Sequence, residues 1–105
     1  MQLQQLAYFV EVAHTLHFTR AAENIGVSQP TLSKQIRVLE NSVGTRLFNR
    51  HSTGIALTSA GEALLPHAQR MLINADSALR SVGEVAELKR GRVRPGATPS
   101  TLDGL

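Results

Sequence analysis

Apolar positions in the first half of the chain recur with a helical period, punctuated by Gly26 and Gly44. Leu3, Leu6, Val10 and Ala13, widened by Phe9, form one stripe and predict a first helix. Thr19 is placed to cap a short second helix that turns Ala21, Ala22 and Ile25 inward. Gly26 ends it, because glycine enters the left-handed conformation of a helix C-terminus without steric cost. Only Gly26 and Val27 separate this helix from Ser28, a good N-cap, with Pro30 in the first turn where a missing N–H costs little. Because Pro30 offers no amide hydrogen, the Ser28 hydroxyl is expected to cap Thr31. The third helix then runs to about Val43, with Leu32, Ile36, Leu39 and Val43 on its buried stripe, and Gly44 stops it.

The period changes over residues 46–58. Leu47-Phe48 and Ile55-Ala56-Leu57 read as two short strands joined by the polar loop Asn49 to Gly54, which suits a hairpin packed against the helices. A new helix start follows, capped either by Thr58 or by a Ser59/Glu62 capping box. Beyond it Leu64, Ala68, Met71, Ala75, Ala78, Val82 and Val85 alternate four and three residues apart, widened by Leu65, Leu72, Leu79 and Ala86. A helix over 59–90 would be roughly 48 Å long, more than a small core can cover, so a partner helix is implied. Pro66 inside it frees a carbonyl and predicts a bend.

This order predicts a mainly α fold: a winged helix-turn-helix of three helices plus a two-stranded wing, followed by a long dimerisation helix. The winged unit spans 1–58, with its helix-turn-helix at about 18–37, and the linker or dimerisation helix spans 59–90. Residues 91–105, rich in Gly, Pro, Ser and Thr, read as a linker or the start of an absent effector domain.

The face of the third helix opposite Leu32, Ile36 and Leu39 carries Pro30, Lys34, Arg37 and Asn41, flanked by Ser33, with Gln29 and Thr31 at its N-terminal end. A polar face with two cations suits a DNA major groove. Lys34 and Arg37 match guanine acceptors or phosphates, and Gln29 matches an adenine edge. The hydroxyls of Ser28, Thr31 and Ser33 and the free amides at the helix start suit phosphates. Arg50 and His51, read as the hairpin tip, are placed to touch backbone or the adjacent minor groove.

Composition adds less than pattern. The 105 residues carry a net charge of +3, with residues 1–58 contributing five basic and three acidic side chains, so a nucleic-acid partner is compatible with the charge but not demanded by it. The chain has no cysteine, which excludes disulfides, thiolate–zinc sites and thiol nucleophiles and fits a cytoplasmic protein. Neither a signal peptide nor an apolar run of membrane-spanning length is visible, and the balanced polar face of 59–90 argues against membrane binding. Glu11, His14 and His17 lie three apart, but that step drifts around a helix and no fourth ligand is near, so no metal site is expected. No catalytic residue emerges: there is no phosphate-cradling glycine loop and no nucleophile elbow.

The run from Phe18 to Ile36, FTRAAENIGVSQPTLSKQI, resembles the DNA-binding domain of LysR-type transcriptional regulators. Leu39-Glu40, Gly44, Leu47-Phe48-Asn49-Arg50 and Leu57-Thr58-Ser59-Ala60-Gly61 continue the pattern, so the match covers about residues 1–90. The resemblance implies sequence-specific binding of double-stranded DNA by a bacterial transcription regulator, and no enzyme activity. It implies a homodimer joined through Leu64, Leu65, Ala68, Met71, Leu72, Ala75, Ala78, Leu79 and Val82, with dimers able to pair into tetramers. No cofactor is expected in this chain; a small-molecule effector is expected only for a full-length protein, in a further ligand-sensing domain. Gly91 to Arg94 resembles the approach to that domain's first strand, whereas Pro95 would remove a backbone donor from it. A second reading is a chain that pairs with longer relatives through 59–90 and blocks their assembly.

Overall fold

The structure is a computed structural model and describes residues 1–89; the expected linker over 91–105 lies outside the described residues. The described elements are α1 (Leu3–Thr15), α2 (Phe18–Ile25), α3 (Gln29–Val43), β1 (Phe48–His51), β2 (Gly54–Leu57) and α4 (Ser59–Lys89). Two compact units emerge, Met1–Leu72 and the segment from Ile73 onward. The first unit reaches past the predicted boundary at residue 58. The start of α4 belongs to it, with Ala68 completely buried in its core and Leu64, Leu65, Met71 and Leu72 packed against that core.

Helices α1, α2 and α3 close around Phe9, Val12, Ala21, Leu32, Ile36 and Leu39. The buried face of α1 is Gln5, Leu6, Tyr8, Phe9 and Val12, rotated from the predicted stripe; Leu3 is exposed, and Val10 and Ala13 are half-buried. Gln5 belongs to this face because its Nε2 donates to Gln35 Oε1 at 3.3 Å, linking α1 to α3. A buried polar side chain with a partner avoids most of its desolvation cost.

The cap of α2 is His17, two residues before the hydroxyl expected at Thr19: its Nδ1 accepts from the Arg20 amide at 3.1 Å. Leu16, between α1 and α2, is held in the left-handed region at φ 51°, and the Thr15 hydroxyl accepts from the His17 amide across it. The ends of α2 and α3 follow the glycines, with Gly26 at φ 89° and Gly44 at φ 85°. Val43, predicted inward, is exposed in the last turn of α3.

The wing is an antiparallel pair in which Phe48 faces Leu57 and His51 faces Gly54. Asn49, Arg50 and His51 therefore lie in β1 rather than in the connecting loop, and Ser52-Thr53 form the turn. Polar residues are tolerated there because a two-stranded ribbon exposes one face to water. The Phe48 ring packs tilted against Phe9 at 5.4 Å and edge-on against Phe18 at 6.0 Å, anchoring the wing in the helical core. Of the two candidate caps for α4, Thr58 is the one used: its Oγ1 accepts from the Gly61 amide at 3.0 Å. The helix continues through Pro66, which is exposed.

In the segment from Ile73 to Lys89 the helix is amphipathic without a covered face. Ile73, Leu79, Val82, Val85 and Leu88 are all exposed, while Asp76 and Arg80 pair across one turn at 3.1 Å. That exposed pair contributes only a few tenths of a kcal/mol, about 0.2–0.5. Among the described residues no helix is long and apolar enough to cross a membrane.

Candidate nucleic-acid interface

The N-terminus of α3 is built as its sequence dictates. Ser28 Oγ accepts from the Thr31 amide at 3.2 Å and donates to Thr31 Oγ1 at 2.8 Å. Replacing Ser28 with alanine should lower stability by about 1 kcal/mol, read as a shift in the denaturation midpoint. One turn on, Gln29 Nε2 donates to Ser33 Oγ at 2.7 Å. This bond corrects the expected placement of Ser33: with 9% of its surface exposed, it sits beneath the polar face and orients Gln29.

Pro30, Thr31, Lys34, Arg37 and Asn41 are exposed, and Gln29 is half-buried. Pro30, Lys34, Arg37 and Asn41 therefore share the predicted polar face of α3, with Gln29 and Thr31 at its N-terminal end and Ser33 buried beneath it. Among the described residues the one ion pair is Asp76–Arg80, so Lys34 and Arg37 have no carboxylate partner and remain available to an anion.

Arg50 departs from its expected position. It lies on the same side of β1 as Phe48, and its guanidinium stacks over the Phe18 ring, 4.4 Å from the centroid. His51 is the strand residue adjacent to the turn, so of the two predicted wing residues it is the nearer to the tip.

Glu40 carries a role that periodicity could not reveal. Its Oε2 accepts from the backbone amides of Leu47, at 2.8 Å, and Phe48, at 3.3 Å, fixing the start of the wing to the last turns of α3. Hydrogen bonds to a charged acceptor are worth about 1.5–3 kcal/mol, and Glu40→Ala should lose stability on that scale in urea unfolding. Arg46 was also outside the predicted set. It is exposed and borders the same groove between α3 and β1 as Arg37 and Arg50.

Glu11, His14 and His17 have separate structural partners. Glu11 Oε2 accepts from Asn24 Nδ2, the His14 ring meets Gln69 Nε2, and His17 caps α2. Among the described residues no cluster of three potential metal ligands occurs.

The predicted dimerisation residues divide into two sets. Ala68 is enclosed by its own unit and has no surface to offer a partner, correcting its assignment, while Leu64, Leu65, Met71 and Leu72 pack partly against the same core. Ala78, Leu79 and Val82 are exposed and Ala75 is half-buried.

Residues 3–62 match the family profile of the bacterial regulatory helix-turn-helix proteins, lysR family. The HTH-type transcriptional regulator BudR of Klebsiella aerogenes is 47% identical over 100 residues, covering 95% of this chain and 70% of that protein. XapR of Escherichia coli, also an HTH-type transcriptional regulator, is 41% identical over 102 residues, covering 97% of this chain. The chain spans about a third, 35%, of the length of XapR. Among solved structures, the BenM DNA-binding domain in complex with catB site 1 DNA is similar with a TM-score of 0.78 at 35% identity, covering 82% of this chain and 97% of that one.

Proposed function

The chain belongs to the lysR family of bacterial regulatory helix-turn-helix proteins, and from that premise we propose that it binds double-stranded DNA sequence-specifically as a homodimer, as the DNA-binding part of a transcription regulator in the bacterial cytoplasm. The observation that carries this reading is the face of α3. Gln29, Pro30, Thr31, Lys34 and Arg37 stand on one helix after a glycine turn, with neither cation paired to an acid. A helix of this diameter fits the major groove, where each base pair presents a distinct pattern of donors and acceptors. Ser28 contributes by fixing the helix start, and Ser33 by holding Gln29. Arg50 and His51 serve the wing side of the contact.

The second copy is supplied by the segment from Ile73 onward. Leu79, Val82 and Val85 lie exposed on one side of a helix, and a second copy of the same helix is the occupant that buries them. Ala75 and Ala78 allow the close approach of such a partner. Pairing of dimers into a tetramer is compatible with the same arrangement.

Two dyad-related α3 helices predict two half-sites about one helical turn apart, or a multiple of it. A footprint on duplexes selected from a random pool should show two symmetry-related protected patches. A single unsymmetrical patch would contradict the homodimer. Arg37→Ala should relax discrimination at one base pair by about 1–3 kcal/mol if Arg37 reads a guanine, whereas an equal loss on all sequences assigns it to phosphate.

A further inference from the structure

Gln5 is one of two buried polar side chains among the described residues, with 5% of its surface exposed. Both ends of its amide are used. Oε1 accepts from the Gln2 amide at 3.1 Å, closing the capping box at the start of α1. Capping occupies the oxygen alone. Nε2 donates to Gln35 Oε1 at 3.3 Å, a contact between residues 30 apart in sequence. Among the described residues this is the one side-chain hydrogen bond that joins α3 to another helix. The others made by α3 stay within its first turns or run from Glu40 to the start of the wing.

The remaining hold on α3 from the helical core is apolar, through Leu32, Ile36 and Leu39 in the cluster that includes Phe9 and Val12. Apolar burial is strong but non-directional, so it keeps α3 against α1 without selecting one rotation about its axis. A hydrogen bond adds direction, because it weakens steeply with distance and angle. Gln35 stands between Lys34 and Arg37 in sequence and is half-buried, while both cations are exposed. Any rotation or slide of α3 that breaks the bond at Gln35 carries Lys34 and Arg37 with it. Base edges are read by donors and acceptors in fixed geometry, so such a shift costs discrimination before it costs contact with the duplex. We infer that Gln5 is a positioning residue for DNA reading: its amide sets the register of α3 against α1, and so the aim of Lys34 and Arg37. The inference rests on the reading that α3 enters the major groove. It gives α1, which carries none of the predicted interface residues, a part in specificity.

The test compares the intact chain with Gln5→Met, Gln35→Met and the doubly substituted chain on two duplexes, one recovered by selection and one scrambled, at one salt concentration. Methionine keeps an unbranched side chain of similar length and removes the amide. Unfolding curves are recorded beside the titrations. Gln5→Met should lower the ratio of selected to scrambled affinity by about tenfold, the scale of one lost base contact, with affinity for the scrambled duplex unchanged. Gln35→Met should do the same. The double variant should fall no further than either single one, because both residues act through one bond. A drop in stability with an unchanged ratio in both single variants would overturn the inference and leave Gln5 a purely structural residue. So would losses in the ratio that multiply in the double variant. Should Gln5→Met fail to fold, Gln35→Met, altered at a half-buried position, decides by its ratio. A parent chain with equal affinity for both duplexes would instead overturn sequence reading by α3, a result seen before any variant is measured.

Discussion

Gly61→Val is expected to destabilise the Met1–Leu72 unit more than any surface substitution, by about 3 kcal/mol. A Cβ at Gly61 would be driven into the Leu47 carbonyl oxygen and would come within 2.7 Å of Leu57 Cδ2. Neither neighbour is free to retreat. The Leu47 carbonyl accepts from the Thr58 amide, the Leu47 amide donates to Glu40, and the Leu47 side chain is among the most buried in the unit. The first turn of α4 would have to lift from the wing, breaking the Thr58 cap in the process. For a domain of this size a loss of that scale lowers the melting temperature by at least about 10 °C. An unfolding curve within a degree or two of the parent would show that the contact between Gly61 and Leu47 is not tight in solution.

The second large effect concerns assembly. Replacing both Leu79 and Val82 with glutamate should convert the chain to a monomer while leaving the Met1–Leu72 unit folded, since both residues are exposed and lie outside that unit. Affinity for a duplex with two half-sites should fall about 100-fold or more, because linked binding of two modules contributes 10²–10⁴-fold without any new contact. Affinity for an isolated half-site should change little. Sedimentation would report the oligomeric state and a titration would report the affinity. A doubly substituted chain that remains dimeric would place the interface elsewhere.

How much of this was legible in the sequence depended on what kind of residue carried the signal. The α3 helix was readable because Gly26, Ser28, Pro30 and Gly44 act through local backbone chemistry, and that chemistry operates the same way in the folded chain. The face of α1 was misplaced because counting apolar residues alone passes over Gln5, which is buried through its bond to Gln35. The cap at His17 escaped because an imidazole is a less common acceptor than the hydroxyl of Thr19 two residues on. The wing strands were cut short for a similar reason, since Arg50 and His51 look like loop residues until the Phe18 ring and the strand pairing are in view.

The long helix teaches a different lesson. Its apolar period continues unbroken from Leu64 to Val85, yet Ala68 is sealed within its own unit while Val82 is 66% exposed. Periodicity reports which side of a helix must be covered; it carries no information about whether the cover is the same chain or another. Glu40 was invisible for a related reason. Its role comes from the wing folding back on α3, a long-range event with no local trace.

In the proposed function the reading unit is a pair of α3 helices held at fixed separation. It is tested most directly by titrating the chain against duplexes whose two half-sites are moved apart in single-base-pair steps. Affinity should collapse when the spacing changes by about half a helical turn and recover at about one full turn, near ten base pairs, where both helices again face the same side of the duplex. An affinity indifferent to spacing would contradict the claim and assign binding to single, independent copies.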